Sequence, residues 1–60
     1  MENALLAYRD GRDDGYAGRR DAARAENPET GADYRIGFLD GRIDVFRMMA
    51  AVRAMLEEAD

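Results

Sequence analysis

The side chains that could carry chemistry in this chain are carboxylates, guanidinium groups and three tyrosines. There are thirteen Asp and Glu residues against nine basic residues, all of them Arg, and there is neither His nor Cys. The chain therefore lacks a thiol nucleophile, a disulfide, the commonest metal ligand and the usual near-neutral acid–base group. The carboxylates are not spaced like calcium-loop ligands, and two helices offer no deep pocket to tune an acid–base pair. We expect a non-enzymatic protein without catalytic residues, metal or cofactor.

The arginines are the only candidates for contact with nucleic acid. Five of them fall within residues 9–24, where four Asp residues interleave. A net charge of −4 argues against general binding to a phosphate backbone, so free nucleic acid is not an expected partner. An ion-paired or solvated helix face is the alternative. The candidates for a local RNA contact are Arg12, Arg19, Arg20 and Arg24.

Two segments rich in helix-forming residues are separated by Asn27-Pro28-Glu29-Thr30-Gly31. Pro28 cannot lie inside a helix without the loss of a hydrogen bond, and it pushes Asn27 away from helical geometry. We predict helix 1 over about 3–26, a turn over 27–31 and helix 2 over about 32–58. Either Thr30 or Asp33 caps helix 2, or Asn27 does so with Pro28 as the first helical residue.

A glycine-containing phrase occurs twice, as YRDGRDDG at 8–15 and as YRIGFLDG at 34–41, 26 residues apart. A glycine inside a helix costs about 1 kcal/mol relative to alanine. Close approach of two helix backbones would offset this cost, because glycine has no Cβ. The alternative is a break within 10–18, since Asp-Gly is also a turn dipeptide. The residues predicted to pack closely between the helices are Gly11, Gly15, Gly18, Gly37 and Gly41.

The predicted fold is all-α, a two-helix antiparallel hairpin that forms one domain over residues 1–60. Folding about residues 28–29 places residue i roughly opposite residue 57 − i. Gly15 and Gly18 then lie near Phe38 and Gly41. The same register places Gly11 near Phe46, and Tyr8 near Met49.

A 60-residue chain buries only about 60% of its unfolded surface, so a partner is expected to add stability. Apolar residues of helix 2 fall on more than one face, which predicts a homodimer that forms a four-helix bundle. The alternative is a groove or ridge for a different protein. The residues of this surface are Ile43, Phe46, Met49, Val52, Met55 and Leu56.

The sequence also bears on location. The N-terminal stretch MENALLAY lacks the basic and hydrophobic regions of a secretory signal. No apolar run approaches the roughly 20 residues of a membrane span. We therefore expect a cytoplasmic protein without a membrane partner.

Residues 7–41 resemble the ribosome modulation factor family of bacterial proteins. The shared features are Tyr8, Gly11 and Gly18, then Asn27-Pro28, then Tyr34, Gly37-Phe38 and Gly41. The resemblance implies a two-helix fold and docking on the small ribosomal subunit, which silences translation during ribosome hibernation. This chain differs from the family in its acidic balance and in having no Trp. The alternative function is that of an acidic homodimeric adaptor or phage-type inhibitor that uses the apolar half of helix 2.

Overall fold

The computed structural model describes residues 3–59 of the chain and contains three helices in that range. These are α1 (Ala4–Ala17), α2 (Ala22–Ala25) and α3 (Gly31–Glu58). The all-α class is therefore confirmed. Met1, Glu2 and Asp60 belong to the predicted 1–60 domain but lie outside the described residues.

The first helix ends nine residues earlier than predicted, at Ala17 rather than 26. Gly18 has a φ of 71°, in the left-handed region that side chains avoid. Its N–H and that of Arg19 bond back to carbonyls of the last helical turn, with Arg19 N at 2.9 Å from the Asp14 oxygen. Asp21 then caps the short α2, since its carboxylate accepts the Arg24 N–H at 3.1 Å. The prediction of one helix through residue 26 is wrong because Gly18 stops it.

The predicted turn before the second long helix is present. The Asn27 side-chain oxygen accepts the N–H groups of Glu29 at 2.8 Å and of Thr30 at 3.2 Å. Thr30 occupies the N-cap position of α3, but its side chain makes no capping bond. Gly31, the first residue of α3, donates its N–H to the Asn27 carbonyl at 2.8 Å. Asn27 therefore organises the turn from outside the helix, and Thr30 caps by position only.

α1 and α3 run parallel, and the antiparallel prediction is wrong. The hydroxyl of Tyr8 lies 2.5 Å from a carboxylate oxygen of Asp40. One turn further along both helices, the Arg12 guanidinium lies 2.9 Å from a carboxylate oxygen of Asp44. Antiparallel helices bring together residues whose numbers have a constant sum. Here the difference is nearly constant instead, 32 for these two side-chain pairs and 23 to 29 for the backbone contacts of Gly11, Gly15, Gly37 and Gly41. Neither Phe46 nor Met49 therefore takes the place predicted for it.

The direction of α3 follows from the length of the connection. A turn of five residues would force the second helix to fold back antiparallel. Because α1 stops at Ala17, the connection is residues 18–30 instead. At about 3.3 Å per extended residue it can reach roughly 40 Å, whereas α1 at 1.5 Å per residue is about 21 Å long. The chain can therefore return to the start of α1 before α3 begins.

The core is small and lies where the connection crosses the two long helices. Tyr34 and Ala25 are fully buried, and Ala7 is 1% exposed. The buried Thr30 adds a polar residue at the start of α3. Every residue of 46–59 is exposed, and the described chain measures 53 × 18 × 12 Å. The second half of α3 thus projects beyond the rest of the fold, and we call residues 44–58 the projecting segment.

Candidate functional site

Four glycines form the contact between α1 and α3. A Cβ on Gly11 would lie 2.9 Å from the carbonyl carbon of Tyr34, and one on Gly37 would lie 2.9 Å from that of Tyr8. Gly15 and Gly41 face each other, and a Cβ on Gly41 would lie 3.0 Å from the Cα of Gly15. Real Cβ atoms essentially never come within 3.0 Å of other heavy atoms, so no side chain fits at these positions. The two glycine phrases therefore pack against each other, each occupying the space that the other leaves.

Gly18 does not belong to this contact, contrary to prediction. A Cβ there would meet only a guanidinium nitrogen of Arg42, at 3.2 Å. Gly18 is required for its left-handed backbone at the end of α1. The sequence held two signals for this role, a glycine placed where a helix can end and Asp21 placed where the next can begin.

Two tyrosine–carboxylate bonds connect the helices in a reciprocal way. Tyr8 on α1 donates to Asp40 on α3 at 2.5 Å, and Tyr34 on α3 donates to Asp14 on α1. Tyr34 also accepts the N–H of Asp21, which ties the connection to the core. Burial and then the bond to Asp14 raise the pKa of Tyr34. The bond to the Asp40 carboxylate is the main reason that the pKa of Tyr8 is raised.

Asp44 gathers two α1 side chains near the end of that helix. The Arg12 guanidinium and the Tyr16 hydroxyl each donate to it at 2.9 Å. The Arg12 guanidinium also lies 5.3 Å from the centre of the Tyr16 ring. The bond from Arg12, then that from Tyr16, lowers the pKa of the Asp44 carboxyl. Arg12 therefore serves α1–α3 packing rather than projecting freely toward a partner.

The other candidate RNA-contacting arginines fall into two groups. Arg24 pairs with Asp10 at 2.7 Å and lies 5.6 Å from the centre of the Tyr34 ring. Like Arg12, it is engaged within the fold. Arg19 and Arg20, in contrast, are exposed on the connection after α1. Of the four candidates, these two are placed to meet a partner.

A shallow groove lies beside these exposed arginines. It is lined by Arg20, Arg35, Phe38 and Leu39. Arg35 is fixed there by the bond that it donates to the Ala25 carbonyl. The groove thus combines guanidinium groups with an aromatic and an aliphatic side chain. Such a combination can take both anionic and apolar groups of a ligand.

The structure divides the six predicted surface residues of α3 between two faces. Ile43 and Phe46 lie on the side away from α1, where Ile36 and Leu39 precede them at seven-residue spacing. These four residues are 45–60% exposed, and we call them the outer face. Arg42 borders it, with its guanidinium 5.1 Å from the centre of the Phe46 ring.

The remaining surface residues continue the side of α3 that packs on α1. Gly41, Met48 and Met55 are spaced by seven residues, as are Phe38, Val45 and Val52. All of the apolar side chains on this side from Met48 onward are more than half exposed. We call this set the inner stripe, and it consists of Val45, Met48, Met49, Val52, Met55 and Leu56.

Comparison of the chain with protein-family models, curated proteins and solved structures finds no match. Within residues 3–59, no three acidic side chains come together in a way that could hold a metal ion. None of the helices in that range has both the length and the apolar character needed to cross a membrane. The features of α3 and its neighbouring connection that are available for function are the groove, the outer face and the inner stripe.

Proposed function

We propose that this chain is a non-enzymatic binding protein that docks on a larger assembly and modulates translation, with the ribosome as its target. The observation that carries the proposal is the outer face of α3, whose exposed side chains run beside the arginine-lined groove. Apolar residues exposed in a continuous patch favour an interaction site. Action on the ribosome places the protein in the cytoplasm of a bacterial cell.

The composition of this surface supports a ribosomal target. A ribosome presents both RNA and protein, so a docking surface benefits from cationic and apolar groups side by side. Arg20 and Arg35 supply cationic groups, and Leu39 supplies an apolar group. The resemblance to the ribosome modulation factor family includes three residues of the glycine contact, Gly11, Gly37 and Gly41. A shared scaffold is therefore the part of the resemblance on which the proposal relies.

Co-sedimentation with bacterial ribosomes in a sucrose gradient, at low and at moderate salt, tests the proposal. We expect Leu39→Asp and Arg20→Glu each to reduce the fraction of protein that travels with the ribosomes. Ala51→Asp, away from the outer face, and Arg9→Glu, on the exposed side of α1, carry the same charge changes and should bind like the original chain. Migration of the original chain with free protein at both salt concentrations would exclude this function.

A protein-binding adaptor or phage-type inhibitor is the second candidate, and the projecting segment favours it. Met48, Met49 and Met55 are 56–67% exposed, and methionine adapts well to varied partner surfaces. Such a protein would bind a cellular protein through the inner stripe rather than a ribosome through the outer face. Loss of that binding in Met55→Asp but not in Leu39→Asp would identify this second function.

A further inference from the structure

We propose that the projecting segment pairs with the same segment of a second copy of this chain, in antiparallel orientation. The inner stripe of each copy would cover that of the other. This inference does not depend on docking to the ribosome, which uses the outer face on the opposite side of α3. The dimer would therefore leave the groove and the outer face free.

The first argument is continuity with the contact that α1 already makes. α1 covers the inner side of α3 as far as Asp44, which Arg12 and Tyr16 hold. The same side continues as Val45, Met48, Val52 and Met55, alternating spacings of three and four residues that make a coiled-coil seam. The opposite side of this segment carries arginine, alanine and glutamate residues apart from Phe46. The seam therefore extends past the end of α1 and requires a second helix to cover it.

The orientation follows from the position of α1. A parallel partner would run back along the inner side of α3, into space that α1 occupies. An antiparallel partner meets no such obstacle, because the body of its fold lies beyond the C-terminal end of α3. α1 and the partner's projecting segment would then lie end to end along α3. In this register Val45 of one copy lies beside Met55 of the other, and Met48 lies beside Val52.

Charge supports the same register. The projecting segment ends in Glu57 and Glu58, which the antiparallel arrangement brings to the end of the other copy's α1. Arg19 is exposed there, immediately after Gly18, whereas Arg20 lines the groove. Opposite charges therefore meet at both ends of the pair. A parallel pair would instead place the acidic ends of the two copies side by side.

Sedimentation equilibrium at micromolar concentration tests the association. The original chain should show twice its mass of 6.7 kDa. Val52→Asp puts a charge in the stripe and should weaken self-association at least about 100-fold. Ala54→Asp, on the opposite side of the same helical turn, is the control and should remain dimeric. A monomeric original chain, a dimeric Val52→Asp or a dissociated Ala54→Asp would overturn the proposal.

Cysteine cross-linking tests the orientation, since the chain has no cysteine of its own. After mild oxidation, an equimolar mixture of Val45→Cys and Met55→Cys should give a disulfide between the two variants. Each variant oxidised alone should give little dimer, because its two thiols lie about 15 Å apart along the pair. Efficient cross-linking of each variant with itself would indicate parallel helices and overturn the antiparallel arrangement. Neither measurement involves ribosomes, so failure here is distinguishable from failure of the proposed function.

Discussion

Tyr34 donates its hydroxyl proton to Asp14, and the bond from Tyr8 to Asp40 repeats this arrangement with the helices exchanged. Tyr8 and Tyr34 are 26 residues apart, as are Asp14 and Asp40. In each copy of the glycine phrase the tyrosine therefore donates a hydrogen bond to the other copy, and the aspartate accepts one from it. Two parallel helices related by a local two-fold axis produce such reciprocity, whereas the predicted antiparallel register, in which facing residue numbers sum to 57, would not bring these residues together.

The first prediction concerns the two tyrosine bonds. Tyr34→Phe removes a buried hydroxyl that serves both Asp14 and the Asp21 N–H, and we expect it to lower the free energy of unfolding by about 1–3 kcal/mol. Tyr8→Phe removes a bond at the edge of the same contact and should cost less. Urea unfolding followed by circular dichroism measures both variants. Equal losses would mean that the connection gains nothing from Tyr34.

The sequence predicted the four glycines that pack between the helices, although it wrongly included Gly18, and it did not predict the direction of the second helix. Spacings of three and four place Gly11, Gly15, Gly37 and Gly41 on helix faces whichever way the second helix runs. Direction is decided by the connection, and its length depended on Gly18. With Gly18 predicted inside helix 1, the connection was a short turn, which favoured an antiparallel hairpin. As a left-handed helix end, Gly18 lengthens the connection and allows the parallel pair.

The residues of the candidate surfaces could be predicted from the sequence, but their assignment to two separate faces of α3 could not. Exposed apolar residues of α3 were identifiable because a single partner helix can cover only one face. Assigning Ile43 and Phe46 to one face and Val52 and Met55 to another required the position of α1. The reciprocal bonds of Tyr8 and Tyr34 could not be found before the parallel register was known, although the repeated spacing of Tyr and Asp was a usable signal.

The second prediction concerns Gly37. In an exposed helix, replacing glycine by alanine stabilises by about 1 kcal/mol. Here the new methyl group would lie 3.0 Å from the Arg12 nitrogen and closer still to the backbone of Tyr8. We expect Gly37→Ala to destabilise by about 1–3 kcal/mol instead, because the helices must move apart. Thermal unfolding decides the sign, and a stabilised variant would show that α1 and α3 do not approach so closely.

Gly15→Leu is the larger version of the same test. A leucine side chain at the point where Gly15 faces Gly41 should separate α1 from α3 altogether. Ala51→Gly provides a control on the exposed part of α3, with an expected loss of only about 1 kcal/mol. Unchanged thermal stability of Gly15→Leu would contradict the glycine contact.

The third prediction separates the role of Gly18 from that of the packed glycines. Its left-handed backbone is strained for alanine by about 1–2 kcal/mol, whereas asparagine adopts it more readily. Gly18→Ala should therefore destabilise the chain, and Gly18→Asn should do so much less. Space is not the limit here, since only the flexible end of Arg42 lies nearby. Equal losses in the two variants, measured by urea unfolding, would point to crowding rather than backbone conformation.

The fourth prediction is a fall in stability on the alkaline side. The pKa values of Tyr8, Tyr16 and Tyr34 are all raised above the ordinary value of 10.0 in the folded chain. Above pH 10 the tyrosines of the unfolded chain lose their protons before those of the folded chain do. This deprotonation stabilises the unfolded state relative to the folded state, so the free energy of unfolding decreases. The contribution of these groups is complete below pH 10 and is lost as the pH rises toward the folded pKa values. Tyr34→Phe should make this alkaline fall shallower.

Asp44 gives the opposite dependence at acid pH. Its pKa is lowered from the ordinary value of 3.8 by Arg12 and Tyr16, so its stabilising effect is present above that value and is lost as the pH falls through the folded pKa. Asp44→Asn should flatten the acid side of the curve. It should also make the alkaline side shallower, because the bond to Asp44 is the main reason that the pKa of Tyr16 is raised. Urea unfolding at intervals from pH 2.5 to 11 measures both limbs. If the alkaline fall in stability were as steep in Tyr34→Phe as in the original chain, the pKa of Tyr34 would not be raised by folding.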